Sequence, residues 1–133
     1  MSYVAENPSS FAGKAVGTGQ CVAYVQAAAK CPYTALWTAG AKVAGNKDIP
    51  TGTAIASFDP DGTYGNHVDG RSHAAIYVSQ DANGILVWDQ WLHQVVHQRT
   101  LRYYPIGGAV KNVNNAWCFS VIEEKKPEPK PTT

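Results

Sequence analysis

The sequence predicts an α+β domain in which N-terminal helices pack on an antiparallel sheet of about five strands. Three observations point there. Helical spacing of apolar residues is confined to the first third of the chain, around Val22, Val25 and Ala29. From Thr53 onward, short runs rich in Ile, Val, Trp and Tyr alternate with Asp, Asn, Gly and Pro turn residues. A length of 133 residues suits one hydrophobic core. Helices first and strands afterwards give the α+β class.

The elements follow in order. Residues 1–18 read as an irregular lead-in rich in Ser, Gly and Asn. Gly17-Thr18-Gly19-Gln20 forms a tight loop that opens into a helix starting at Cys21. Pro32 cannot continue that helix, so it ends near Lys30-Cys31. A second short helix is expected from Tyr33 to Gly40, with Trp37 on its inner side. Strands are expected over 53–58, 73–78, 85–89, 99–104 and 116–121. Asp59-Pro60-Asp61-Gly62 starts a polar loop that runs to Ser72, and Asp81-Ala82-Asn83-Gly84 is a hairpin turn. Residues 1–122 are thus read as a single catalytic domain, and 123–133 as a disordered, charged, proline-rich tail.

Composition narrows the function. Hydrophobic residues at 44% and charged residues at 16% describe a chain able to bury a core. A net charge of +1 leaves no basic footprint for nucleic acid. No apolar run approaches the roughly 18 to 20 residues that cross a bilayer. Met1-Ser2-Tyr3-Val4-Ala5 has neither a basic start nor an apolar segment, so synthesis in the cytoplasm without a signal peptide is expected. The three cysteines, Cys21, Cys31 and Cys118, lack the paired spacing of a zinc ribbon. One disulfide, Cys31 with Cys118, plus one free thiol is one reading; three free thiols is the other.

Chemistry gathers at Cys21. A cysteine at a helix N-terminus meets unpaired N–H groups and the positive end of the helix dipole, both of which favour the thiolate. It is a candidate nucleophile, and equally a small residue packing a helix on a sheet. A thiolate needs a base near neutral pH, and histidine suits that role. Among His67, His73, His93 and His97, His73 stands out because it opens the apolar strand Ala74-Ala75-Ile76-Tyr77. His67 belongs to the preceding loop and is expected in solvent. His93 and His97 sit four apart, but the Glu of a helical zinc motif is absent and Val95-Val96 disfavours helix, so no metal site is expected. The hairpin places Asp89 across from His73 to within a few positions, where it could orient the ring. Alternatively Asp89 simply ends its strand, with Gln90 as the reserve for orienting the ring. Tyr64, Trp88, Trp91 and Trp37 could line a cleft, although aromatics at these spacings equally serve a core.

These residues resemble a known pattern. Gly19-Gln20-Cys21 at a helix start, Ser72-His73-Ala74-Ala75-Ile76-Tyr77 opening a strand, and Asp89-Gln90 closing the next are similar to the CHAP and NlpC-type amidases. Pro50-Thr51-Gly52-Thr53-Ala54-Ile55-Ala56 also resembles a strand of that family, with Thr53 where Asp is common. The resemblance spans residues 17–92. It implies a papain-like fold, no cofactor, and a Cys-His-acid triad that carries over to Cys21, His73 and Asp89. It implies cleavage of amide bonds in the peptide stem or cross-link of bacterial peptidoglycan. Gln20 and the backbone N–H of Cys21 become candidates to stabilise the oxyanion.

The small size and the absence of a separate wall-binding domain resemble the amidase effectors of type VI secretion. That likeness implies action in the periplasm of a target cell, with a cognate immunity protein and secretion-system components as partners; a phage-derived lysin fragment or a housekeeping wall hydrolase looks alike at this level. Two rival readings stand beside it. One is a non-catalytic wall- or sugar-binding module built on Trp88 and Trp91. The other is a papain-like acyltransferase using the same Cys-His pair.

Overall fold

The computed structural model describes residues 2–125. One helix, α1 (Cys21–Ala29), packs on a six-stranded sheet whose paired strands all run antiparallel. The strands are β1 (Trp37–Lys42), β2 (Ala54–Ser57), β3 (Ala74–Asp81), β4 (Gly84–Trp91), β5 (Gln94–Leu101) and β6 (Phe119–Glu124). Their spatial order is β1-β6-β2-β3-β4-β5. The α+β class and the helix-on-sheet arrangement are as expected; the sheet has one strand more.

The helix starts where the backbone can turn. Gly17 and Gly19 take φ of 57° and 85°, a region that side chains with a Cβ avoid. It ends at Lys30 in the left-handed conformation, two residues before Pro32. Tyr24, Val25 and Ala29 face the sheet and are buried. Ala54, Ala56 and Ala74 meet them from β2 and β3, and these small side chains let the helix lie close. Strand alternation sends Ile55, Ala75, Tyr77, Ile85 and Val87 to the other face, where Val43, Leu101, Ala116 and Phe119 complete a second cluster. Each large aliphatic side chain sealed this way contributes about 1.5–3 kcal/mol.

Several expectations are corrected. Tyr33–Gly40 is not a helix. Only Thr34–Leu36 forms a 3₁₀ turn, and Trp37 begins edge strand β1 against β6. β-branched Thr38 and the need to pair β6 outweigh the weak local helix signal. The fourth expected strand, 99–104, is displaced toward the N-terminus. A tight turn at Leu92-His93, with His93 at φ 73°, returns the chain directly into β5. Residues 116–118 form a 3₁₀ turn, capped where Asn115 Oδ1 accepts from Trp117 N, before β6 starts. β6 runs on through Glu123 and Glu124, two residues past the expected domain boundary; the tail from 126 onward lies outside the described residues. The lead-in is tied down by bridges from Ser2 to Glu123 and Val4 to Thr53.

The expected Cys31–Cys118 disulfide is absent, and all three cysteines are free. Cys31 belongs to the cluster on the helix side of the sheet, whereas Cys118 packs at the edge of the cluster on the other side. The sheet stands between them. Burial pushes the Cys31 thiol up to about 12.

Candidate active site

The helix start, the opening of β3 and the end of β4 meet at one edge of the sheet. Cys21 supplies the sulfur from the first position of α1. His73 lies one residue before β3. Its backbone N–H donates to Ser57 Oγ at 3.0 Å, and its carbonyl accepts from Ser57 N at 2.9 Å. Ser57 Oγ in turn donates to the Arg71 carbonyl at 2.9 Å. The buried Ser57 thus fixes where the imidazole leaves the backbone.

Ile76 pairs with Trp88, so His73 and Asp89 are diagonal neighbours on one face of the β3–β4 ladder. His73 Nε2 stands 2.7 Å from Asp89 Oδ2. The ring is 5% exposed and Asp89 wholly buried, so water does not compete for this contact. The imidazole and the Cys21 sulfur also influence each other, each favouring the other's charged form. With Nε2 committed to Asp89, Nδ1 is the nitrogen that serves the thiol.

The charges agree with the geometry. Burial opposes the Cys21 thiolate. The neighbouring His73 first, then the Ala74 backbone and the Tyr64 hydroxyl, outweigh it and hold the thiol below its ordinary value. Burial also disfavours the His73 imidazolium, yet the Asp89 hydrogen bond and the Cys21 contact raise it to about 9. Asp89 is held below the usual carboxylate range: burial is exceeded by His73 and by Arg99. All three shifts favour a thiolate–imidazolium–carboxylate row. Tyr64 Oη lies 3.7 Å from the sulfur. Burial, and then the Cys21 charge, push that phenol upward, so it stays a neutral donor.

A cleft of about 540 Å³ opens above this row, lined by Gln20, Cys21, His73, Trp91 and Leu92 among others. Gln20 is exposed there, as an auxiliary group would need to be. Gln90 does not face the ring, which corrects its reserve role. Strand alternation turns it to the helix side, where its amide is fully used: Oε1 accepts from Val16 N at 2.8 Å, and Nε2 donates to the carbonyls of Val16 at 2.9 Å and Gln20 at 2.8 Å. Gln90 fastens the loop that leads into Cys21. Of the aromatic candidates, Trp91 lines the cleft and Tyr64 lies under the sulfur, but Trp88 packs against the helix-side core. Trp37 is buried beside Tyr64, with ring centres 4.9 Å apart.

The sequence reading did not single out three neighbours. His67 also lines the cleft, and instead of lying in solvent it is half-buried, with Nε2 2.9 Å from Asp59 Oδ2 and Nδ1 3.0 Å from Arg71 Nη2. Arg99 Nε donates to Asp89 Oδ2 at 2.7 Å. His97 stands directly opposite Asp89 in the ladder, with Nε2 3.1 Å from Oδ1, but the two atoms are not aligned for a hydrogen bond. The register of β5 is the signal that would have revealed both. Once Asp89 pairs with His97, alternation puts Arg99 on the same face. His93 is in the turn and His97 on the strand, so the two do not form a helical pair.

The chain is similar to known proteins over most of its length. The family model described as domesticated amidase effector 2 matches residues 1–122. A type VI secretion amidase effector 2 protein of Salmonella typhi is 35% identical over 114 residues, covering 78% of this chain and 84% of that protein. Domesticated amidase effector 2 of Ixodes scapularis is 36% identical over 125 residues, covering 86% of this chain and 82% of that one. A solved structure of type 6 secretion amidase effector 2 superimposes with a TM-score of 0.82 at 33% identity, over 96% of this chain and 98% of that chain. With a papain-like helix-on-sheet fold and a match that spans nearly its whole length, the chain belongs to the amidase effector 2 family.

Proposed function

We propose that this protein is a cysteine amidase that hydrolyses amide bonds in the peptide portion of bacterial peptidoglycan, with Cys21, His73 and Asp89 as its triad. One observation carries the reading: a helix-start sulfur whose thiolate is favoured by an imidazole that itself stands, through Nε2, 2.7 Å from a wholly buried carboxylate. A cysteine that only packed the core would have no use for a depressed thiol or for a cleft above it.

The reaction follows from the row. The Cys21 thiolate attacks the amide carbonyl, and the carbonyl π electrons move to oxygen. The backbone N–H at the first turn of α1 has no intrahelical acceptor and donates to this oxyanion. The Tyr64 hydroxyl, beside the sulfur, is the second donor, with Gln20 assisting from the rim. His73, protonated on forming the ion pair, gives its proton to the leaving amine as the C–N bond breaks. A water molecule then attacks the thioester with His73 as base, and the carboxylic acid leaves while Cys21 recovers the thiolate. Asp89 fixes the ring and stabilises its charged form throughout. No step calls for a metal or a cofactor.

The names of the relatives set the biological context. We read the protein as an effector amidase that works on peptidoglycan in the periplasm of a target cell, with an immunity protein as its natural antagonist. Among the described residues no helix is long and apolar enough to cross a membrane.

Digestion of purified peptidoglycan, read by mass spectrometry of the released fragments, tests the proposal. Each cut adds one water and exposes a new amine and a new carboxylate. Fragments from the wild type and none from C21A are expected; equal release by both overturns the mechanism.

A further inference from the structure

Arg99 is bound on every edge. Its Nε donates to Asp89 Oδ2 at 2.7 Å, the same oxygen that binds His73. Its Nη1 donates to Asn114 Oδ1 at 2.8 Å and its Nη2 to the Val113 carbonyl at 3.1 Å. Its Cζ lies 5.0 Å from the centre of the Trp91 ring. The 3₁₀ turn at Asn112–Asn114 thus holds the guanidinium from outside while β5 holds it from below. The other groups facing Asp89 are His73 and, from β5, His97; the Tyr24 phenol on α1, raised first by burial, also feels the carboxylate charge.

We propose that Arg99 is a positioning residue of the reaction: a permanent counter-charge that keeps Asp89 ionised in both halves of the cycle and keeps His73 acidic enough to release its proton. The proposal rests on the Cys21-His73-Asp89 reading above. In that cycle His73 is charged while the thiolate stands free and neutral after protonating the leaving amine. A buried carboxylate paired with His73 alone would then lose its partner, a state heavily penalised away from water. Arg99 cannot give up its proton, so Asp89 keeps a partner in either state. Sharing Oδ2 also divides the carboxylate's pull. Without Arg99, Asp89 would grip the imidazolium proton harder, and the leaving amine would receive it less readily. Lysine would carry the charge but not the forked contacts to Asn114 and Val113.

Histidine side-chain NMR titration, with the His73 signal assigned from H73A, separates this role from a merely structural tie. R99Q should move the His73 midpoint upward by about one pH unit. R99K should return the midpoint toward the wild-type value and recover part of the lost kcat. D89N should lower the midpoint. If D89N leaves it unmoved, the triad reading fails. If D89N lowers it and R99Q does not raise it, the triad stands and the role given to Arg99 is wrong. Should R99Q not fold, N114A gives the test with Asp89 intact: loosening the outer tie of the guanidinium should raise the His73 midpoint by a fraction of a pH unit, and no rise overturns the proposal.

Discussion

Two histidine–aspartate pairs face the same cleft, and they differ in everything except their chemistry. His73 and Asp89 are 2.7 Å apart, with side chains 6% and 0% exposed; His67 and Asp59 are 2.9 Å apart, with side chains 26% and 22% exposed. The first pair is held by strands: Ser57 fixes the backbone of His73, and the β4–β5 ladder holds Asp89 beside Arg99. The second is held by a loop and by Arg71, which itself turns to exposed Asp69. Only the first pair has a sulfur beyond the ring. A short contact between these residue types therefore does not by itself single out a site; burial, a rigid backbone and a third group in line are what favour the first pair.

The contrast can be broken by substitution, and the largest effect belongs to the sulfur. C21A should reduce peptidoglycan cleavage by at least about 10⁴-fold with an unchanged circular dichroism spectrum. H73A should fall almost as far, because members of one unit are not additive. D89N should cost about 10²- to 10³-fold, less than either, since the orienting group leaves the nucleophile and its base in place. Y64F, which keeps the ring against Trp37 but removes the hydroxyl, should cost about tenfold or more in kcat and little in KM. A Y64F enzyme with wild-type kcat would remove Tyr64 from the oxyanion site. H67Q should change kcat/KM by no more than about threefold, as surface pairs contribute little. A loss at H67Q as deep as at H73A would collapse the distinction between the two pairs.

Stability gives the smallest and most specific signal. The folded protein raises His73 from its ordinary 6.5 to about 9. Its protonated form therefore favours the fold fully below pH 6.5, and that contribution is lost as pH climbs toward 9. Thermal melts across this window should fall by a few degrees in the wild type and in H67Q, and flatten in D89N. A wild-type slope preserved in D89N would show that Asp89 is not the group holding the His73 proton.

Much of the arrangement was legible in the chain because local rules and tertiary packing agree there. Gly17, Gly19 and the Val22/Val25/Ala29 spacing mark a turn into a helix whatever surrounds it. The Asp81–Gly84 turn sets the β3–β4 hairpin closely enough to bring Asp89 toward His73. What stayed hidden depends on partners distant in sequence. Trp37–Lys42 is a strand because β6, some eighty residues later, needs a neighbour. Arg99 and His97 come into view only once the tight turn at His93 fixes the register of β5. Gln90 has a polar side chain next to an acid, and nothing in its own neighbourhood says which face it takes.

That last residue has a consequence for how the enzyme comes to life. Asp89 and Gln90 are joined by one peptide bond and point in opposite directions, one toward the imidazole and one toward the loop ahead of Cys21. Sliding β4 by a single position would exchange them and dismantle both ends of the row together. A one-residue slip of β4 therefore cannot spare one of these contacts and lose the other. In refolding, hydrolysis should switch on in one step when this strand docks, and a newly made chain carries no activity until then.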